Sequence, residues 1–203
     1  MVVDVGCGTG ALATDLARPG VRVLALDLRP EGLERLRGAG VPVWVARARA
    51  TDLPVAGNIA DVILALDVLE HTDDRRSLDE IARALKPGGA VVITVPALPW
   101  LWSARDDEAG HLRRYSRRSL VALVEGSGLE LLDIRFYQCL LLPLVVATRL
   151  VGKRWRATQR AEERPGGWMN GLCLAISRFE VSAGDYVRWP WGSSLAAVAR
   201  RPA

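Results

Sequence analysis

The first seventeen residues restrict the fold more than any other stretch. Val2, Val3 and Val5 are β-branched and suit a buried parallel strand. Gly6, Gly8 and Gly10 alternate with Cys7 and Thr9, and Ala11 to Ala17 read as a helix. A strand that turns through glycines into a helix brings backbone N–H groups and a helix N-terminus close to a ligand. A Cβ there would block the approach or forbid the backbone angles. Asp27 ends the next apolar run, Val21 to Leu26, at the roughly 20-residue offset where a carboxylate can hold ribose hydroxyls. Strand, glycines, helix, strand and acid in this order point to a nucleoside-cofactor site. The plainer alternative is a tight turn beside a surface aspartate.

No G-x-x-x-x-G-K-[ST] is present, which excludes a P-loop. Gly6, Gly8 and Ala11 also fit the dinucleotide pattern G-x-G-x-x-A, so the rest of the chain decides. Asp4-Val5-Gly6-Cys7-Gly8-Thr9-Gly10, Asp67-Val68-Leu69-Glu70-His71 and Leu85-Lys86-Pro87-Gly88-Gly89 follow one another at family spacing. From Met1 to about Ile134 the chain resembles the class I S-adenosylmethionine-dependent methyltransferases. The resemblance implies a Rossmann-like seven-stranded α/β sheet with helices on both faces and a last strand that slots in antiparallel. It implies S-adenosylmethionine as cofactor. Rival readings are a non-catalytic domain that kept the fold and an NAD-dependent oxidoreductase. No N-P-P-[YF] base-flipping motif is present, and no nucleic-acid partner is expected.

The chain has 203 residues, enough for one domain with a sizeable core. Half of them are hydrophobic and 25% are charged, which excludes a disordered chain. The net charge of +4 hints at an anionic partner, but an arginine-rich solvated surface is the simpler explanation. Cys7, Cys139 and Cys173 form no C-x-x-C pair, so a reducing cytoplasm is the natural location and no metal site is expected. Neither a signal peptide nor an apolar run of spanning length is visible.

Along the chain, the pattern predicts a helix over Glu31–Arg37, a strand over Val41–Val45, a turn at Thr51–Pro54 and a strand over Ala60–Leu66. A helix over Asp73–Leu85 precedes a fifth strand over Ala90–Val95. Ser116 would cap a helix through Glu125, and Leu129–Tyr137 would be the sixth strand. Residues 1–137 are expected to form the core, residues 138–191 a helical cap insertion, and residues 192–203 the core's last strand.

The resemblance implies that Asp4, Gly6, Cys7, Gly8 and Gly10 surround the cofactor's amino acid and ribose. It places Asp27 on the ribose hydroxyls, Leu28 beside the adenine, and Leu66 and Asp67 near the cofactor's amino-acid end or its methyl. Asp67 could instead be a residue that leads into the next helix. Family members commonly carry an aspartate where this chain has Arg49, which offers no acceptor to the adenine amino group. Ala50's backbone or Asp52 would have to substitute. Related chains also carry a helix before the first strand, so either the native start lies upstream or the site is open.

His111 and Tyr115 are the candidate catalytic residues, with His111 as a base or, alternatively, a tie between loop and sheet. His71 is expected to serve packing and hydrogen bonding. Arg113 and Arg114 suit an anionic acceptor by charge. Leu141, Leu144, Val145, Thr148 and Val151 follow helical steps before Lys153, Arg154, Trp155 and Arg156. This segment reads as a cap buried on the sheet or in a homodimer, with peripheral contact at the inner membrane face as the alternative. The expected acceptor is a small molecule or a lipid-linked compound.

Overall fold

The computed structural model describes residues 1–152, 167–184 and 186–203. The core alternates strands and helices: β1 (Val2–Val5), α1 (Ala11–Leu16), β2 (Val23–Asp27), α2 (Pro30–Gly38), β3 (Val43–Arg47), β4 (Ala60–Leu66), α3 (Asp74–Ala84) and β5 (Leu85–Pro96). Then come α4 (Ala104–Ala109), α5 (Arg117–Gly126), β6 (Glu130–Tyr137), α6 (Leu142–Gly152), α7 (Gly167–Ala183) and β7 (Ser194–Arg200). The seven strands form one sheet in the order β3-β2-β1-β4-β5-β7-β6. The first five strands pair in parallel, whereas β7 lies antiparallel between β5 and β6.

Strand alternation gives each face its own core. Val3 and Val5 of β1 join Leu78 and Ile81 of α3 and Leu120 and Val124 of α5 in the larger cluster. On the other face, Val23 and Ala25 of β2 pack with Ala13 of α1 and Leu36 of α2. Helix ends follow the sequence signals. Asp73 caps α3 by accepting from the Arg76 N–H at 3.1 Å. Ser116 and Ser119 form a reciprocal capping box at the start of α5.

Strand boundaries depart most from expectation at β3 and β5, and β2 starts at Val23, two residues into its apolar run. β3 starts at Val43, because the Val43 N–H turns back to the Val41 carbonyl at 2.7 Å across Pro42. β5 starts at Leu85, five residues before the expected Ala90. Leu85 pairs with Ala60, an irregularity absorbs the Lys86–Gly89 turn, and pairing resumes at Val62 and Ala90. Between β6 and β7 the described residues form α6 and α7, flanked by turn and coil at 138–141 and 186–193. Lys153, Arg154, Trp155 and Arg156 lie outside the described residues. Leu144 of α6 and Leu172, Phe179 and Val181 of α7 are exposed. Among the described residues no helix is long and apolar enough to cross a membrane.

Candidate functional site

β1 has β2 on one side and β4 on the other, so the chain reverses direction across the sheet at β1 and β4. Open parallel sheets bind ligands at the carboxyl ends of strands at such a point. Here a cleft of about 1380 Å³ opens between the loop after β1 and the loop after β4. Gly6, Gly8, Asp27, Leu28, Ala50 and Asp67 line it. Asp4, Cys7, Gly10 and Leu66 do not form its wall.

Gly6, Gly8 and Gly10 all have positive φ. At Gly8 an added Cβ would meet nothing within 4 Å, so this backbone faces open cleft. The loop is held from behind by Asp27. Its Oδ2 accepts the Gly8 N–H at 2.8 Å, and its Oδ1 accepts the Arg29 N–H at 2.8 Å. A carboxylate has about four acceptor positions, so both oxygens keep capacity for ligand hydroxyls. Gly32 was not singled out in the sequence. A Cβ on it would lie 1.5 Å from the Gly8 carbonyl oxygen, so α2 can touch the loop only through a glycine.

Asp4 sits behind the loop, 3% exposed, and its Oδ2 has no hydrogen-bond partner. Burial, helped by the Asp27 charge, raises its pKa to about 6. Cys7 packs into the Leu36 cluster. Burial and the Asp4 and Asp27 charges push its thiol up to about 12, so it is inert near neutrality. Leu28 is 46% exposed on the cleft wall. Arg49 lines the cleft, and Asp52 opens instead onto a shallower neighbouring depression.

Asp67 has φ +53, a conformation that costs a non-glycine residue energy. Thr94 holds it: its Oγ1 donates to Asp67 Oδ1 at 3.2 Å, and its carbonyl accepts the Asp67 N–H at 3.0 Å. Asp67 does not cap α3, which Asp73 does, but it leads directly into a single 3-10 turn, Leu69–His71.

Beyond Asp67 the two histidines meet. Their rings stand edge to face with centroids 4.8 Å apart. His71 lines the cleft, and its Nδ1 donates to the Gly110 carbonyl at 3.2 Å. Burial lowers its pKa. His111 Nδ1 donates to Asp106 Oδ1 at 2.9 Å. Asp106 is 1% exposed and also accepts from Arg114 Nε at 2.7 Å and from the Ser103 N–H at 2.9 Å. Burial pushes the Asp106 carboxyl up, but the Arg114 and His111 hydrogen bonds outweigh this and leave it below the usual range. Glu70, beside His71, is 1% exposed, and its Oε2 has no partner. Burial raises its pKa to about 8.

Three expectations for this region are corrected. Tyr115 is 3% exposed, and its hydroxyl donates to Asp74 Oδ2 at 2.8 Å. Burial and that bond raise its pKa, and the hydroxyl braces α3; neither Tyr115 nor His111 lines the cleft, which His71, Gly110 and Leu112 border. Arg114 is buried on Asp106 and the Ala97 carbonyl. Arg113 pairs with Asp74 at 2.6 Å. Neither guanidinium is left for an anionic acceptor as its first partner. Asp74 and Asp106, which organise these groups, carry no sequence signal beyond helix-start positions.

The family of methyltransferase domains matches residues 3–93. Over these residues, under half of its length, the chain carries a methyltransferase domain of the class I S-adenosylmethionine-dependent type. It is 34% identical over 112 residues to an uncharacterized methyltransferase of Mycobacterium tuberculosis, covering 55% of this chain and 43% of that protein. It is 38% identical over 93 residues to a ubiquinone biosynthesis O-methyltransferase of Methylobacterium sp., covering 43% and 37% of the two chains. The matched stretch thus spans under half the length of these curated relatives. In fold, the methyltransferase domain is similar to an S-adenosylmethionine-dependent methyltransferase of Mesorhizobium loti, with TM-score 0.66, 20% identity and coverage of 98% and 90%. A [4+2]-cyclase gives TM-score 0.63 at 21% identity, covering 99% and 74%. At these identities the likeness shows the fold alone.

Proposed function

We propose that this methyltransferase domain binds S-adenosylmethionine and transfers its methyl group to an oxygen, nitrogen or carbon of a small-molecule or lipid-linked acceptor. The observation that carries this reading is the Gly8–Asp27 clamp at the open end of β1 and β2. The residues fit the cofactor on two counts. Gly8 presents bare backbone to the cleft, and Asp4 keeps an unpartnered buried carboxylate oxygen behind the loop. In this reading the Gly6–Gly10 loop cradles the cofactor's amino acid, Asp27 accepts from the ribose hydroxyls, and Leu28 flanks the adenine. Ala50 presents backbone to the adenine edge in place of the side chain that Arg49 cannot supply. Leu66 and Asp67 mark the methyl end at the tip of β4.

When bound, the cofactor supplies an activated methyl on a good neutral leaving group. The chain's contribution is alignment of acceptor and methyl within a shaped cleft. The acceptor enters on the side of His71, Gly110 and Leu112. There His111 keeps one ring nitrogen uncommitted, because Asp106 takes only Nδ1. The likeness to an O-methyltransferase of ubiquinone biosynthesis, and the exposed apolar residues of α6 and α7, support an apolar or lipid-linked acceptor.

Titration with S-adenosylmethionine, S-adenosylhomocysteine and NAD tests the assignment. The first two should bind and NAD should not. Binding of NAD alone would establish the oxidoreductase reading, and binding of none would establish a domain that kept the fold without the cofactor.

A further inference from the structure

We propose that Glu70, His71 and His111 form a divalent-cation site at the acceptor side of the cleft. One donor atom from each lies within 4.8 Å of the others. Atoms held 2.0–2.2 Å from one cation lie within about 4.4 Å of each other, so a small side-chain adjustment closes the set. Proximity of three such residues is common without a metal. Two further observations point to a ligand here.

The first is Glu70. It is 1% exposed, and its Oε2 has no hydrogen-bond partner. An orphaned buried oxygen is costly and calls for an occupant. The second is the orientation of the two imidazoles. His111 donates Nδ1–H to the Asp106 carboxylate, and His71 donates Nδ1–H to the Gly110 carbonyl. Both acceptors can only accept, so in the neutral rings the lone pair sits on Nε2. A carboxylate or carbonyl behind each histidine is the arrangement that fixes metal-ligating rings. Asp106 is itself held by Arg114 and Ser103, so the support is rigid. The Leu112 N–H donates to the Glu70 carbonyl at 2.7 Å and ties together the two segments that carry the ligands.

Two imidazoles and one carboxylate suit zinc or another divalent transition ion and leave coordination positions open. His71 and Gly110 border the cleft, so an acceptor oxygen that filled an open position would be held beside the methyl donor. That last statement rests on the methyl-transfer reading; cation binding does not. The site revises the expectation, drawn from cysteine spacing, that the chain holds no metal.

The test is titration of chelator-treated full chain with Co²⁺, followed by visible absorption, and with Zn²⁺, followed by calorimetry. Wild type should bind one cation per chain. His71 is exposed, so His71→Ala should fold, which a thermal melt checks. It should weaken binding by more than roughly 100-fold, beyond the 10–100-fold loss from removing an outer partner. Glu70→Gln should do the same. Cation affinity equal in wild type and both variants, or absent from wild type, would overturn the site. S-adenosylhomocysteine affinity in the same samples reports on the cofactor cleft separately. Wild type that binds it but no cation sinks the cation site alone. Wild type that binds a cation but no S-adenosylhomocysteine upholds the site and sinks the methyl-transfer reading.

Discussion

Asp4 sits in the first strand with a buried carboxylate whose pKa is about 6 in the folded chain, against 3.8 ordinarily. A raised acid pKa means that folding favours the proton. Below pH 4 both states hold it and Asp4 is neutral in effect. From pH 4 to pH 6 the unfolded chain loses its proton first, so stability falls as pH rises, and above pH 6 the full cost remains. Asp4→Asn should therefore raise the melting temperature at pH 7.5, by about 3 kcal/mol of stability at most, with the gain gone by about pH 3. Calorimetric melts across that range check it; equal melts at pH 7.5 would contradict it. Gly32 supplies a second test, with Gly38 of the same helix as its control. A Cβ on Gly38 meets nothing within 4 Å, whereas on Gly32 it strikes the Gly8 carbonyl. Gly38→Ala should stabilise by roughly 0.4–1 kcal/mol, and Gly32→Ala should destabilise and displace the cofactor loop. Differential scanning calorimetry reads both signs. The glycine loop and Asp27 were legible because chain-local spacing determines them. Glu70 stood in a quoted motif without a role, because its orphaned oxygen exists only once β4 and the α4–α5 loop meet. The tie of Tyr115 to Asp74 was illegible for the same reason: the two lie 41 residues apart.

At the scale of elements, apolar runs and helix stops located all seven strands, and the boundaries moved where a turn competed. Pro42 delayed β3, and the turn at Lys86–Gly89 was absorbed into β5 as an irregularity. Caps were legible because they are local. Asp73 closes the first turn of α3, and α3 carries both the core contacts of Leu78 and Ile81 and the Asp74 brace under Tyr115 and Arg113. Asp73→Ala should cost roughly 0.5–2 kcal/mol, read as a lower denaturation midpoint at unchanged slope. A changed slope would mean that α3 loosens as a unit and that the brace, not the cap, sets the loss.

For the whole molecule, the sheet order places the cleft at the β1–β4 reversal, and the β6–β7 segment adds α6 and α7 with apolar side chains left in solvent. We propose that the apolar side chains exposed on α6 and α7 meet a lipid surface, for which the basic residues that follow α6 in the sequence favour anionic headgroups. Vesicles containing anionic lipid should carry the chain in flotation at low salt and release it at high salt. A chain that stays at the bottom of the gradient and runs as a dimer would assign the same surface to a second copy. The cleft itself does not depend on that outcome. Its decisive element is the Asp27 carboxylate, which accepts the Gly8 N–H and lines the cleft. Calorimetric titration of wild type and Asp27→Ala with S-adenosylhomocysteine tests it most directly. Charge-assisted hydrogen bonds contribute about 1.5–3 kcal/mol each, so the variant should bind at least roughly 10-fold more weakly while melting as a folded chain. Equal affinity in the two proteins would contradict the assignment of this cleft to the methyl donor.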